Sequence, residues 1–194
     1  FDLREARSAG PVPGTFERNQ PSFANAAIGQ GDVAVTPLQM AMVAGAIANG
    51  GVMMAPQVVL EVRDTDGRVV RRTATDEWKR ATSPQTAATV GRMMVEVVRA
   101  GTGRAAAVPG VTVAGKTGTA QAPGGPPHAW FIGFAPAESP RLAVAVIVER
   151  GGDLGDEATG GRVAAPVAGQ VLAKMLASLP PEGDPGVGET PGER

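Results

Sequence analysis

Lys116, Thr117, Gly118 and Thr119 follow one another in a stretch that reads as strand, placing an ammonium, hydroxyls and a bare length of backbone side by side. That grouping suits a carboxylate. In an extended chain side chains alternate between faces, so Lys116 and Gly118 share one face while Thr117 and Thr119 point the other way. The glycine leaves backbone open beside the lysine. An extended peptide could lie along this edge by strand addition, its C-terminal carboxylate near a hydroxyl and the ammonium, and its reacting carbonyl near a backbone N–H. Average composition yields any chosen tripeptide by chance in roughly a few per cent of chains this long. Its neighbours therefore decide its weight.

Those neighbours are Gly115 before the run and Ala120-Gln121 after it, with Ile28-Gly29-Gln30-Gly31 upstream leading into Val35-Thr36-Pro37-Leu38-Gln39. With IGQG, VTPLQMAMVAGAIANGG, MMVEVVRAGTG, AGKTGTAQ and HAWFIGFAP in this order, the chain resembles the class B penicillin-binding proteins over about residues 25 to 178. The resemblance implies an α+β fold, an antiparallel sheet with flanking helices of the penicillin-binding protein and serine β-lactamase type. It implies a D,D-transpeptidase on the extracytoplasmic face of a bacterial membrane, anchored there by its parent chain and inhibited covalently by β-lactams. The implied partners are a stem peptide ending in D-Ala-D-Ala, β-lactams, the upstream part of the same domain and a glycan polymerase. No cofactor and no metal are implied.

In that family a serine of a Ser-x-x-Lys motif attacks, assisted by a Ser-x-Asn motif. Neither pattern occurs here: the serines at 8, 22, 83, 139 and 178 lack a lysine three positions on and an asparagine two positions on, and there is no tyrosine. Both motifs lie upstream of IGQG in the family. The chain is thus expected to be the C-terminal part of a transpeptidase domain with an incomplete helical lobe, and its start at Phe1 without a methionine fits a fragment. On this reading Lys116 is the catalytic residue present, raising the local potential and helping proton transfer. Substrate binding falls to Lys116, Thr117, Gly118 and Thr119, with the Thr117 hydroxyl on the carboxylate and the Thr119 backbone N–H as one oxyanion donor. Two other functions stay open, a β-lactam-hydrolysing enzyme on the same fold and a non-catalytic binding or sensor module.

Composition agrees with a globular domain: 43% hydrophobic residues, 19% charged and a net charge of −1. The 18 basic residues are scattered, which argues against nucleic acid as a partner. No run of 18 apolar residues occurs, so neither a membrane span nor a signal peptide is expected in this stretch. With no cysteine there is no disulfide, thiolate site or cysteine nucleophile. His128 stands at the head of HAWFIGF without an Asp or Ser partner motif and reads as structural, and Gly29-Gln30-Gly31 lacks the Gly-Lys-Ser/Thr of a phosphate loop and reads as a turn. Asp153, Asp156 and Glu157 lack EF-hand spacing and read as a solvated loop.

The elements that must position these residues can be read in order. Residues 1 to 25 are expected as loop or lid, 26 to 179 as the domain and 180 to 194 as a disordered tail. Thr36 as N-cap, Pro37 in the first turn and Gln39 as the partner in a capping box predict a helix that stops at Gly50-Gly51. Val58 to Arg63 and Arg68 to Arg72 flank Asp66-Gly67 as an exposed hairpin. Ser83 and Pro84 open a second helix that ends near Gly101, its methionines 93 and 94 expected in the core, and Gly101-Thr102-Gly103 reads as its end. Strands are expected at about 111 to 120, 129 to 135 and 141 to 149, the last so apolar that it should be central or covered on both faces. A helix between Gly160 and Leu179 offers Val163, Val167, Val171, Leu172 and Met175 to the sheet, with Pro166 in its first turns or at a kink. With the helical lobe incomplete, apolar surface of the helix at 36 to 49 should be exposed or covered by association with an upstream segment.

Overall fold

The computed structural model describes residues 7–10, 14, 17, 19–31 and 33–180; the tail from 181 and most of the N-terminal stretch lie outside the described residues. The chain is α+β. Among the described residues, α1 (Gln20–Ala27) is followed by α2 (Pro37–Ala48), α3 (Pro84–Arg99) and α4 (Ala165–Ser178), and the last three pack on a three-stranded antiparallel sheet of β5 (Ala114–Ala122), β6 (Gly125–Ala135) and β7 (Leu142–Val148) in that order. Two smaller ribbons pair β1 (Val52–Met54) with β4 (Glu77–Arg80) and β2 (Glu61–Arg63) with β3 (Val69–Arg72).

Local signals explain most helix ends. Thr36 Oγ1 accepts from the Gln39 N–H (3.1 Å) and Ser83 Oγ from the Thr86 N–H (3.1 Å), each satisfying a donor that the first turn leaves free. The expected capping box at α2 forms only in half. The Gln39 amide turns toward Met53 Sδ, and the Thr36 N–H donates instead to Ser8 Oγ at 3.2 Å. Ala9 and Ala34 exchange both backbone hydrogen bonds just beside this contact, so the cap also ties the N-terminal segment to α2. We expect Thr36→Ala to cost about 1 kcal/mol of unfolding free energy in urea titrations. A variant as stable as the parent would show that Ser8 and the helix need no cap there.

Expectation and structure part at four further places. Residues 20 to 25 are not loop but the body of α1, which Asn19 caps by accepting from the Ser22 N–H. The ribbon β1–β4 was not expected at all; it encloses the expected hairpin, now β2–β3 around Gly67. Met94 is buried on α3, but Met93 is 62% exposed, since adjacent helical residues lie about 100° apart and only one can face the sheet. The apolar β7 is an edge strand of this sheet and meets the expectation by its second route, since α2 and α4 cover its two faces. On α4 the buried face is Ala165, Ala168, Gly169 and Leu172, whereas Val167, Val171 and Met175 are exposed. Small residues win that face because Gly169 lies directly against the backbone of Ala106, where a larger side chain has no room.

Helix α2 keeps Ala44 and Ala46 buried and its other apolar side chains half-buried. The large exposed apolar residues fall elsewhere, at Phe23 and Ile28, on and beside the ribbons, at Met93 of α3, at Leu154 and on α4. Phe131 and Leu172 are the largest fully buried side chains, and with Val98, Val113, Ala164 and Ala168 they make the core between the sheet and α4. Phe131 lies against Gly115 and Gly133, whose missing side chains leave room for its ring. That packing fixes β5 on β6 immediately before Lys116. No helix among the described residues is long and apolar enough to cross a membrane.

Candidate active site

Strand β5 has one edge bonded to β6 and the other free of any strand among the described residues. Its register on β6 pairs Lys116 with Ile132, Gly118 with Trp130 and Ala120 with His128. Side chains of each pair share a face, so Lys116, Trp130, Ile132 and His128 look the same way. They line an open groove of about 500 Å³ together with Ile28, Gly29, Gln30, Val33, Ala34, Val35 and Met40 of α2. Its lining is largely apolar beside the exposed Lys116.

The four residues of the Lys-Thr-Gly-Thr run divide as alternation requires. The Lys116 ammonium donates to the Thr117 carbonyl at 2.5 Å, which bends its head toward the free edge. Thr117 turns to the opposite face, where its hydroxyl lies 2.6 Å from that of Thr102 at the end of α3. Gly118 leaves a bare position beside Trp130, and its backbone lies directly against Gly160, the start of the π-helical turn Gly160–Ala164 that leads into α4. Thr119 is exposed, and its carbonyl accepts from Gln30 Nε2 at 3.0 Å.

The groove thus gathers Lys116, Thr117, Gly118 and Thr119 with Gln30, and Thr102 joins them through Thr117 from outside the groove lining; neither Gln30 nor Thr102 is singled out for a site by the sequence. Gln30 was read only as part of a turn, yet its side chain crosses to β5 and also accepts from the Gln121 N–H at 3.3 Å. Thr102 ends α3 as expected and in addition pairs with Thr117. A signal for Gln30 was present: a polar side chain between Gly29 and Gly31, both at positive φ, is presented outward by a tight hook. His128 lines the groove, but its Nδ1 accepts from the Arg150 N–H at 3.1 Å, so in the neutral ring the proton sits on Nε2. Glu157 of the acidic loop pairs with Arg162 at 3.2 Å. Among the described residues no cluster of His, Cys, Asp and Glu could hold a metal ion.

Chemically the arrangement can hold an extended, negatively charged peptide end. Backbone groups at the free edge of β5 can pair with its main chain, and a cation and a hydroxyl stand beside them. A nucleophile with a partnered base is not found in the groove lining.

Comparison with known proteins agrees with this geometry. The family described as "Penicillin binding protein transpeptidase domain" matches residues 5–173. Peptidoglycan D,D-transpeptidase PbpA of Mycolicibacterium smegmatis is 46% identical over 153 residues, covering 77% of this chain and 31% of the relative. PbpA of Mycobacterium tuberculosis is 41% identical over 177 residues, covering 89% of this chain and 35% of the relative. The chain therefore spans about a third of the length of these relatives. Among solved structures, the ceftriaxone acyl-enzyme complex of penicillin-binding protein A from M. tuberculosis superposes with a TM-score of 0.80 at 41% identity, over 92% of this chain and 39% of that one. The D,D-transpeptidase domain of a peptidoglycan glycosyltransferase from Eggerthella lenta gives 0.76 at 34% identity, over 91% and 44%. By its strand order, its groove and these matches, the chain belongs to the penicillin-binding protein transpeptidase domain family.

Proposed function

We propose that this chain is the C-terminal part of a peptidoglycan D,D-transpeptidase domain and supplies the Lys-Thr-Gly-Thr wall of its acyl-transfer site. The observation that carries the reading is the free edge of β5, which presents Lys116 and the backbone of Thr119 to an open groove. Residues of the upstream part of the domain complete the groove and bring the serine. Its hydroxyl oxygen attacks the penultimate D-alanine carbonyl of a stem peptide while its proton passes to a neighbouring base. The terminal D-alanine then leaves as its amine takes up a proton, and an amine of a neighbouring strand attacks the resulting ester, restoring the serine.

In this scheme Lys116 holds the substrate carboxylate and the local positive potential, and Thr117 donates its hydroxyl proton to the same carboxylate. For Thr117 to donate there, its oxygen must accept from Thr102, which the 2.6 Å separation permits. Thr119 contributes its backbone N–H to the developing oxyanion. β-Lactams, held in acyl-enzyme complexes by the related M. tuberculosis protein, are expected to occupy the same edge. The working protein sits on the outer face of the bacterial membrane and acts beside a glycan polymerase.

Incubating the complete polypeptide with penicillin and weighing it intact tests this reading. A stable adduct of one penicillin on an upstream serine is the expected result. Rapid turnover without accumulation would indicate a β-lactam hydrolase, and no reaction a non-catalytic module; either would overturn the proposal.

A further inference from the structure

The Gln30 carboxamide imitates a strand. It donates to the Thr119 carbonyl (3.0 Å) and accepts from the Gln121 N–H (3.3 Å), the two backbone groups that a neighbouring strand would use at that position. In an antiparallel pair, alternate residues point both backbone groups to the same edge, so these bonds establish that Thr117, Thr119 and Gln121 face outward. The Lys116 contact to the Thr117 carbonyl agrees. The N–H of Thr119 therefore lies on the very edge that Gln30 grips, one peptide plane before the gripped carbonyl.

The grip is built and not incidental. Gly29 and Gly31 hold φ values of 77° and 74°, which fold the backbone into a hook with Gln30 at its tip. The hook reaches a strand about ninety residues further along the chain, and Ile28, Gly29 and Gln30 line the groove beside it. An added peptide can pair with β5 as far as the Thr119 N–H, beyond which Gln30 occupies both the Thr119 carbonyl and the outward N–H of Gln121.

We propose that Gln30 is a positioning residue for acyl transfer: its carboxamide pins the Thr119–Ala120 peptide plane, so aiming the Thr119 N–H, and sets where a bound substrate strand must end. This rests on the acyl-transfer reading above. It differs from a competing role in which Gln30 merely blocks Thr119 until substrate displaces it. A pinning residue should help every acylating ligand alike, whereas a blocking residue should hinder those that need the Thr119 carbonyl. Penicillin G carries an exocyclic amide N–H that can use that carbonyl; imipenem carries a hydroxyethyl group in its place.

The test uses the complete polypeptide with Gln30→Met, which keeps length without hydrogen bonds, and Gln30→Glu, which keeps the acceptor for Gln121 and loses the donor to Thr119. Stopped-flow acylation by both drugs separates the saturation constant from the first-order acylation rate. Gln30→Met should lower the acylation rate about tenfold for penicillin G and imipenem alike, the usual worth of a hydrogen bond or two, with the saturation constant little changed. Gln30→Glu should slow both as well, because its carboxylate faces the Thr119 carbonyl. Amide hydrogen exchange at Gln121, read in the same variants, should speed up in Gln30→Met and stay slow in Gln30→Glu. Faster acylation by penicillin G alone would establish the blocking role, and unchanged rates or unchanged exchange at Gln121 would remove the clasp; each overturns the proposal. Wild-type protein that takes no label from either drug would sink the acyl-transfer reading itself, and the positioning role with it.

Discussion

Lys116→Ala in the complete polypeptide is expected to slow acylation by penicillin by a factor on the order of 10² to 10⁴, the range spanned by loss of a group that assists proton transfer. The side chain is exposed at the groove, and its ammonium is bonded to the Thr117 carbonyl, not to a carboxylate. It is thus poised to exchange that weak partner for a substrate carboxylate at little cost in desolvation. Lys116→Arg should restore little, because a planar guanidinium cannot place a compact charge at the same point. Lys79→Ala provides the control: this lysine lies over the Trp78 ring at 5.5 Å on an exposed ribbon strand remote from the groove lining, and its loss should leave the rate alone. The measurement is the second-order rate of labelling followed by intact mass. A rate for Lys116→Ala equal to that of the parent would refute the role given to the lysine.

Gly160→Ala is expected to be strongly destabilising. A methyl group there would lie 2.2 Å from the Trp130 carbonyl oxygen, 2.6 Å from that of Gly118 and 2.8 Å from the Gly118 nitrogen. All three are backbone atoms of the paired residues at the centre of the β5–β6 ladder, so no rotamer change can relieve the contact. Either the π-helical turn lifts off the sheet or β5 shifts beneath Lys116. Overpacking of this kind costs roughly 3 kcal/mol or more when neighbours cannot yield. Urea titration of the complete polypeptide would read it, with Gly10→Ala as the comparison, since a methyl group there meets no atom within 4 Å. A Gly160→Ala protein as stable as Gly10→Ala would disprove the close approach. Where enough Gly160→Ala protein folds, its penicillin labelling should fall with its stability, because Gly118 lies directly under the turn.

Much of this architecture is decided within a few residues of sequence. Thr36 and Ser83 cap helices three residues ahead of the N–H they satisfy, Pro37 and Pro84 need no donor in a first turn, and Gly67 turns a hairpin. Such signals act over the span of one turn, so they can be read without knowing the rest of the molecule. Alternation along β5 likewise separates Lys116 from Thr117 before any partner strand is known. The order of motifs, by the same token, carried the family.

The tertiary structure decided what small residues and distant partners control. Hydrophobicity alone favours Val167, Val171 and Met175 as the buried face of α4, but close approach of Gly169 to Ala106 selects the alanine face instead. The pairing of β1 with β4 joins segments held together across an intervening hairpin, and no local pattern announces it. The Gln39 amide that should have completed a capping box was claimed by Met53, and Ser8 took its place. Gln30 and Thr102 read as turn residues because a side chain's nearest sequence neighbours say nothing of a strand edge reached only after folding. Residue types and their spacing by themselves determined the helix caps, the hairpin and the Lys-Thr-Gly-Thr strand; which side chains meet at that strand was decided by backbone contact distances, set by where the fold can bring glycine and alanine against another chain segment.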